Sequence, residues 1–163
     1  MENYLKGIIY EKQTKSTLLK ANKQVYLWNE IPLDIFIESK IFENYEDKLR
    51  FRKGFETESI EHGISDTGCD IFYFDIIKNQ WIIVQCKNYT GTITLSKLAG
   101  FYDLILSTNL NGELYYTSKL SEPITRYKKD KIDFINFPFI DENANIVQNA
   151  YVKLKPYDYE QYF

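Results

Sequence analysis

Two segments rich in β-forming residues, joined by a short polar turn, constrain the fold of this chain more than any other feature. They span residues 70–77 (DIFYFDII) and 81–87 (WIIVQCK). Lys78-Asn79 lies between them and predicts a two-residue hairpin turn, although it is not the favoured Asn-Gly pair. The second segment is apolar until its last residues, which is typical of a central strand covered on both faces. We therefore predict an antiparallel hairpin in the middle of a sheet.

The polar residues of this hairpin gather at one end. If residues 78–79 form the turn, Asp70 lies opposite Lys87. Side chains alternate along a strand, so Gln85 and Lys87 share a face, and Asp70 lies on that face too. Burying Lys87 alone among apolar neighbours would be costly. The pattern predicts either a structural Asp70–Lys87 salt bridge at a sheet edge or a functional site, and by itself favours neither.

The functional interpretation has a definite chemistry. A carboxylate and an amide oxygen suit a hard cation such as Mg²⁺, which prefers oxygen ligands. A lysine beside that cation can hold or deprotonate a water molecule. Asp70, Gln85 and Lys87 thus form the candidate site.

Helices and strands alternate along the rest of the chain. Periodicity predicts helices over 4–20, 33–52 (broken), 94–107 and 121–129, and further strands over 24–28, 114–117 and 131–137. A polar stretch with glycine breakers predicts a loop over 53–68. A hairpin followed by strand, helix and strand implies a mixed sheet with helices on both faces. The length of 163 residues suits one domain, so we expect a single α/β domain over 1–163.

Composition excludes several classes of protein. The formal net charge of −3 and a pI near 5.3 argue against binding nucleic acid through bulk charge alone, although they permit a local basic groove. One histidine and two cysteines are too few for a histidine-based site, a four-ligand zinc site or a disulfide scaffold. We expect Cys69 and Cys86 to be small core residues in a reducing compartment. No apolar run reaches about 18 residues, so we expect no membrane span.

The residues around the hairpin resemble a known family. The run GISDTGCDIFYFDIIKNQWIIVQCKNY is similar to the core of the PD-(D/E)xK nuclease superfamily, and most of all to Mrr-type restriction endonuclease domains. The family pattern is an Asp, a β-turn, then Gln/Glu-x-Lys near the end of the next strand, here Asp70 and Gln85-Cys86-Lys87. GIIYEKQTKSTLL is similar to the family's first helix with its Gly-x-x-Phe/Tyr-Glu motif, which indicates Glu11. LYYTSKLS is similar to the family's strand ending in Thr-Ser, and VYLWNEIP resembles the N-terminal nuclease-like domain of large viral and phage helicases.

This resemblance implies a fold and an activity. The fold would be an α/β, restriction-endonuclease-like fold, with a mixed central β-sheet flanked by helices, an αβββαβ core and a helical insert after the first strand. The activity would be hydrolysis of DNA phosphodiester bonds with Mg²⁺, for which Mn²⁺ could substitute.

The resemblance also assigns roles to residues. Asp70 would be the primary metal ligand, with the amide oxygen of Gln85 and the backbone carbonyl of Cys86 beside it. Lys87 would orient or activate the attacking water and steady the charge that develops on the phosphate. Glu11 would bind the metal through water. Gln85 stands where the family usually has a carboxylate, so we expect weaker metal binding and one metal rather than two.

Some residues carry a competing interpretation. Glu11 could instead be a solvated helix residue like its neighbour Lys12, although the position of Tyr10-Glu11 after Gly7 favours the site, and Glu30 is a rival acidic group. Asp66 suits a turn, or the mouth of the site. Two basic clusters are the first candidates for phosphate contacts if DNA binds: Arg50, Arg52 and Lys53, and Arg126, Lys128, Lys129 and Lys131. Three further residues stand near the expected rim of the site: Tyr89, Ser96 and Ser118.

Three functions stay open from sequence. The first is an Mg²⁺-dependent DNA endonuclease. The second is a non-catalytic, nuclease-like module that binds DNA or docks inside a larger helicase or mobile-element protein, which the acidic pI and the three arginines slightly favour. A Holliday-junction resolvase ranks lower because it normally needs a homodimer and a more basic surface. We expect DNA as the partner, either homodimerisation or attachment to a helicase or ATPase, and an intracellular location in the cytoplasm, or in the host cytoplasm or nucleus if the protein is viral.

Overall fold

A computed structural model describes residues 2–39, 68–108, 110–126, 130–140 and 146–148. Its helices are α1 (Glu2–Leu19), α2 (Leu33–Glu38), α3 (Ala99–Thr108) and α4 (Glu122–Arg126), with 3₁₀ turns at Trp28–Glu30 and Leu95–Leu98. Its strands are β1 (Val25–Leu27), β2 (Ile71–Asp75), β3 (Gln80–Lys87), β4 (Thr92–Ile93), β5 (Asn111–Tyr116), β6 (Lys119–Leu120), β7 (Ile132–Asn136), β8 (Phe139–Ile140) and β9 (Ile146–Gln148).

Five strands form one mixed sheet, in the order β1-β2-β3-β5-β7. The pairs β1–β2 and β2–β3 are antiparallel, whereas β3–β5 and β5–β7 are parallel. Tyr10 of α1 packs with Val84 in one apolar cluster, and Phe36 of α2 and Phe101 of α3 pack with Ile83 in another. The predicted α/β arrangement, a mixed sheet flanked by helices, is therefore confirmed, and the restriction-endonuclease-like fold stays a prediction.

Strand β3 is the centre of this sheet. It pairs with β2 on one side and β5 on the other, and Ile82, Ile83 and Val84 are fully buried. That burial agrees with its nearly continuous apolar sequence. Its polar carboxyl end, from Gln85 to Lys87, lies at the edge of the sheet where β5 and β7, which run parallel to it, also end.

The predicted hairpin turn is wrong by two residues. The strands are joined by four residues, Ile76 to Asn79, so that Asp75 pairs with Gln80. The Asp75 carboxylate accepts the backbone N–H groups of Ile77 and Lys78 at 2.9 and 3.0 Å, and Asn79 closes the turn with φ 55°. This local side-chain cap supports a longer turn than the sequence pattern suggested.

The corrected register places Asp70 level with Gln85 rather than opposite Lys87, because β2 pairs with β3 from Ile71 and Val84 onward. A shift of two residues leaves every side chain on the face to which it was assigned, since strand side chains alternate with a period of two. The predicted shared face of Asp70, Gln85 and Lys87 is therefore retained.

Other predicted boundaries of helices and strands differ from those of the structure. The predicted helix over 94–107 begins as a 3₁₀ turn before α3. The predicted broken helix over 33–52 starts as α2, but its remainder, and nearly all of the predicted 53–68 loop, lie outside the described residues. The strands β4, β6, β8 and β9 were not predicted, because segments of two or three residues carry too little periodicity.

Helix α1 is fixed against the far end of the chain. The Tyr10 hydroxyl donates to the Phe137 carbonyl at 2.9 Å. The Gln13 side chain bonds both backbone groups of Ile140, accepting the N–H at 3.2 Å and donating to the carbonyl. These contacts hold α1 across the sheet, with Glu11 next to Tyr10. Among the described residues, no helix is both long and apolar enough to cross a membrane.

The segment that leads into Asp70 packs closely against α3. Gly68 has φ +81°, and a Cβ at this position would lie 2.2 Å from the Gly100 carbonyl carbon. Both the backbone conformation and the close approach of two backbones require glycine here. Asp70 follows two residues later, so this contact helps to fix the position of the Asp70 backbone and therefore of its carboxylate.

We expect Gly68→Ala to destabilise the protein by about 2 kcal/mol or more, because the substitution adds a strained φ to a backbone clash. Urea unfolding measures the loss. Gly91→Ala is the matched control, since no atom of the described residues lies within 4 Å of a Cβ at Gly91, and it should change stability by less than about 0.5 kcal/mol. Equal stabilities for the two variants would contradict the close approach at Gly68.

Candidate active site

Asp70 lies at the entrance of β2 and is held by its own backbone. Its N–H donates to the Val84 carbonyl at 2.8 Å, and its carbonyl accepts the Trp28 N–H at 3.0 Å. The Asp70 Oδ2 atom accepts the Gln85 side-chain Nε2 at 2.6 Å and the Cys86 backbone N–H at 2.7 Å. The carboxylate is therefore fixed against the carboxyl end of β3.

Glu11 reaches the same carboxylate from α1. Its carboxyl group hydrogen-bonds the Asp70 carboxylate. Burial, followed by the charge and the hydrogen bond of Asp70, raises the pKa of Glu11 from 4.5 to about 9, while Lys87 opposes the rise. At neutral pH Glu11 therefore keeps its proton and donates it to Asp70.

Burial also raises the pKa of Asp70. The opposing influences are the Cys86 N–H, the Lys87 charge and the hydrogen bonds from Glu11 and Gln85. Two carboxyl groups thus share one proton in a largely enclosed place, because two adjacent charges would be costly there. A bound cation would relieve the same repulsion.

Lys87 completes the group from the same face of β3. Its Nζ donates to the Tyr89 hydroxyl at 3.5 Å and lies 5.4 Å from the centre of the Tyr89 ring. Its charge lowers the pKa of both Glu11 and Asp70. The structure therefore brings Glu11, Asp70, Gln85 and Lys87 together at one end of the sheet, and Tyr89, which was expected near the rim, contacts the lysine.

The donor set fits a hard cation with one change in orientation. Two carboxyl groups and the Gln85 amide supply oxygen atoms, which Mg²⁺ prefers. Along an extended strand the N–H and C=O of one residue project from the same edge. The Cys86 carbonyl therefore lies on the side where its N–H meets Asp70. Gln85 presents its amide nitrogen to Asp70, so its predicted role requires a half-turn of the terminal amide.

The site is poor in charged ligands. Among the described residues, no group of three His, Cys, Asp or Glu side chains is arranged to hold a metal ion. Glu11 and Asp70 are two carboxylic acids, and Gln85 contributes no charge. Weaker metal binding and a single metal therefore stay predictions.

The structure describes some of the other predicted residues and leaves out the rest. Glu30 forms an exposed ion pair with Lys15 at 2.7 Å, so it takes no part in the site. Ser96 is exposed and bonds Thr94 at 3.1 Å, whereas Ser118 is fully buried. The described ranges do not include the following residues, or do not include their side chains: Arg50, Arg52, Lys53, Asp66, Arg126, Lys128 and Lys129.

No protein-family model, curated protein or solved structure matches this chain. The function of the chain is therefore inferred from the geometry of the site and from the resemblance of its motif.

Two supporting contacts had only weak signals in the sequence. The Thr117 hydroxyl donates to the Asn88 side-chain oxygen at 2.9 Å, and the Thr117 N–H donates to the Lys87 carbonyl at 3.2 Å. The Thr-Ser strand end suggested this position but not its partner. Gly68 stood out only as a breaker before Asp70, and its contact with α3 depends on tertiary packing.

Both cysteine thiols are buried beside the site, and neither is among its proposed metal ligands. Cys69 is 1% exposed and Cys86 is 9% exposed. Burial, followed by the negative charge of Asp70, raises the pKa of each thiol. The reactive thiolate is therefore scarce at pH 8.

We expect neither thiol to react with Ellman's reagent at pH 8 on the timescale on which free cysteine reacts, and two thiols to react after unfolding in urea. Absorbance at 412 nm counts them. A native protein that releases one or two equivalents of chromophore as fast as free cysteine would contradict the burial of this region.

Proposed function

We propose that this chain is an Mg²⁺-dependent DNA endonuclease of the PD-(D/E)xK type, similar to Mrr-like restriction endonuclease domains. The observation that carries the proposal is the contact between the carboxyl groups of Glu11 and Asp70, with Gln85 and Lys87 beside them. Two acids sharing a proton at a strand end are costly for a purely structural purpose. They are useful where a divalent cation replaces the proton.

Each residue has a separate task in this proposal. Asp70 and Glu11 would hold the cation with the Gln85 amide oxygen and the Cys86 carbonyl. When bound, the cation would supply Lewis acidity at the phosphodiester and lower the pKa of a water ligand. The Cys86 N–H holds the Asp70 carboxylate at the end of β3, where it would meet the cation.

Lys87 acts on the substrate side. Its ammonium group stands close enough to the two carboxyl groups to lower the pKa of both. In that position it would orient the attacking water and stabilise negative charge on the phosphate oxygens. The Tyr89 hydroxyl and ring hold the ammonium at this end of the sheet.

Nicking of a supercoiled plasmid tests the proposal. The wild-type protein should produce nicked or linear DNA with Mg²⁺ or Mn²⁺, and EDTA or Asp70→Asn should stop it. Asp75→Asn is the matched control, because Asp75 lies at the other end of β2 and asparagine can keep its turn hydrogen bonds. A folded wild-type protein that leaves plasmid, linear and single-stranded DNA intact with either metal would contradict the proposal.

A second candidate is a non-catalytic nuclease-like module that binds DNA or docks within a helicase or mobile-element protein. The shortage of charged ligands favours it, since the described residues offer two carboxyl groups and an amide. Titration calorimetry separates the two candidates. Absence of heat with Mg²⁺, together with unchanged DNA binding by Asp70→Asn, would support the module.

A further inference from the structure

The backbone pairing that shapes the candidate site ends at Lys87. Strand β3 stops at this residue, and its last pair with β5 joins Lys87 to Tyr116. The Lys87 ammonium contacts Tyr89, which lies two residues beyond the strand. A free lysine side chain samples many rotamers, so its position depends on what its tip meets. The place of the ammonium therefore depends on how the chain after β3 is held.

Thr117 contacts that chain from the neighbouring strand. It follows β5 directly and is fully buried. Its N–H donates to the Lys87 carbonyl at 3.2 Å. Its hydroxyl donates to the Asn88 side-chain oxygen at 2.9 Å and, less closely, to the Tyr89 carbonyl at 3.3 Å. Because a hydroxyl has one proton, these two acceptors share it. Thr117 therefore contacts three consecutive residues, from the end of β3 to the residue that meets the ammonium.

Strand β7 holds Thr117 in turn. The Asn136 side-chain amide donates to the Tyr116 carbonyl at 3.4 Å and to the Ser118 carbonyl at 3.2 Å. These carbonyls lie on either side of Thr117, so the backbone that carries its hydroxyl is fixed at both ends. The carboxyl ends of the three parallel strands are therefore linked by hydrogen bonds, which run from β7 through Thr117 to the chain beside Lys87.

We propose that the Thr117 hydroxyl is a positioning group that acts through Tyr89 on the Lys87 ammonium. By holding the Asn88 side chain and the Tyr89 carbonyl, it keeps the ammonium beside the two carboxyl groups of the site. This inference rests on the proposed nuclease function and adds to it a residue that acts through Lys87 without touching the substrate. A misplacement of about 1 Å in a reacting group can lower a rate by about a hundredfold.

The Thr117→Val variant tests the inference, because valine keeps the branched shape and the N–H of threonine but loses the hydroxyl. Single-turnover plasmid nicking should slow by about tenfold or more, while the Kd for a labelled duplex stays within about threefold of the wild-type value. Thr117→Ser restores the hydroxyl and should cut DNA within about threefold of the wild-type rate. Thr108→Val is the matched control, because it removes a threonine hydroxyl that bonds the Leu104 carbonyl just before β5 begins, far from Lys87. It should cut DNA as the wild type does.

NMR of isotope-labelled lysine measures the position of the ammonium without any cleavage. The Lys87 ammonium lies over the Tyr89 ring, so the ring current should displace the ε-methylene resonances of Lys87 from their positions in the unfolded chain. The peak that is missing from Lys87→Met identifies them. They should move toward their unfolded positions in Thr117→Val and stay in place in Thr117→Ser and Thr108→Val. Asn88→Ala removes one acceptor of the hydroxyl, so it should shift them in the same direction and replaces Thr117→Val if that variant does not fold.

The outcomes separate this inference from the nuclease proposal. If the wild type cuts DNA and Thr117→Val cuts it at the same rate, the inference is overturned and the nuclease proposal stands. Equal slowing in Thr117→Val and Thr117→Ser would also overturn it, because the hydroxyl would then have no separate role. If the wild type does not cut, the nuclease proposal fails separately and the Lys87 resonances decide. A displacement that is lost in Thr117→Val and kept in Thr108→Val supports the positioning of Lys87, and an unchanged spectrum overturns it.

Discussion

Lys87→Ala should nick supercoiled DNA about a hundred to a thousand times more slowly than the wild-type protein under single-turnover conditions. Removing one preorganised group that stabilises developing charge typically costs this much. Lys87 is also the cation whose charge lowers the pKa of both Glu11 and Asp70. Loss of Lys87 should therefore raise the pKa of both carboxyl groups and also remove a contact with the phosphate.

Two further variants separate chemistry from folding. Lys87→Met keeps the apolar stem of the side chain on β3, so it should fold as well as the wild type while remaining inactive. Lys15→Ala removes a lysine of an exposed ion pair on α1 and should retain full activity. If Lys87→Ala and Lys87→Met both cut DNA at the wild-type rate, the chemistry assigned to Lys87 is wrong.

Glu11→Gln should make the protein more stable at neutral and alkaline pH and, at the same time, inactive as a nuclease. The pKa of Glu11 is 4.5 in the unfolded chain and about 9 in the folded protein. Between these values the folded state holds a proton that the unfolded chain has lost, so stability falls as pH rises. Below pH 4.5 both states are protonated, and the cost disappears.

The size of this effect follows from the same linkage. Each pH unit above 4.5 costs about 1.4 kcal/mol, so the burden at pH 7 is about 3 kcal/mol. Glutamine is neutral at every pH and can still donate to Asp70. Urea unfolding at pH 4.5, 7 and 9 should therefore show a stability gap between Glu11→Gln and the wild type that opens with pH, while plasmid nicking is lost.

The pH dependence can be assigned to the coupled Glu11–Asp70 pair, because the titrating groups outside that pair are common to both proteins. Burial also raises the pKa of Glu113, which accepts a hydrogen bond from Tyr73 at 2.5 Å, and this group contributes equally to both curves. Glu30→Gln, on the exposed ion pair, is the control and should follow the wild-type pH profile. A constant gap between Glu11→Gln and the wild type from pH 4.5 to 9 would show that Glu11 titrates normally.

The sequence could predict which face carries the site but not the pairing that forms it. The alternation of side chains along a strand assigned Asp70, Gln85 and Lys87 to one face. That assignment remains correct although the predicted turn was wrong by two residues. The turn itself was missed because the Asp75 carboxylate caps it, and several turn lengths suit the same residues. Local pattern therefore determined the strand faces, and side-chain capping determined the register.

Long-range contacts explain most of what the sequence could not supply. Glu11 and Glu30 were both acidic candidates, and only the packing of α1 shows that Glu11 meets Asp70 while Glu30 pairs with Lys15. The bond from Tyr10 to Phe137 spans 127 residues and has no local signature. The shape of the site thus depends on how α1 lies across the sheet.

Gln85 is the residue at which the proposed chemistry differs most from the family pattern. A glutamate there would add a third carboxylate to a buried pair that already shares a proton. Glutamine avoids that repulsion and donates to Asp70 at 2.6 Å instead. This hydrogen bond stabilises the folded protein, and under the proposed function the affinity for a divalent cation should be lower.

A crystal grown or soaked with Mn²⁺ tests most directly whether the Glu11–Asp70 pair is a cation site. Anomalous scattering should show a manganese peak at about 2.1–2.2 Å from an Asp70 oxygen, with Glu11 bound directly or through water and the Gln85 amide oxygen turned toward the ion. If Mn²⁺ at millimolar concentration gives no anomalous peak there, and the two carboxyl groups remain hydrogen-bonded to each other, the account of this site as a metal-dependent nuclease centre is contradicted.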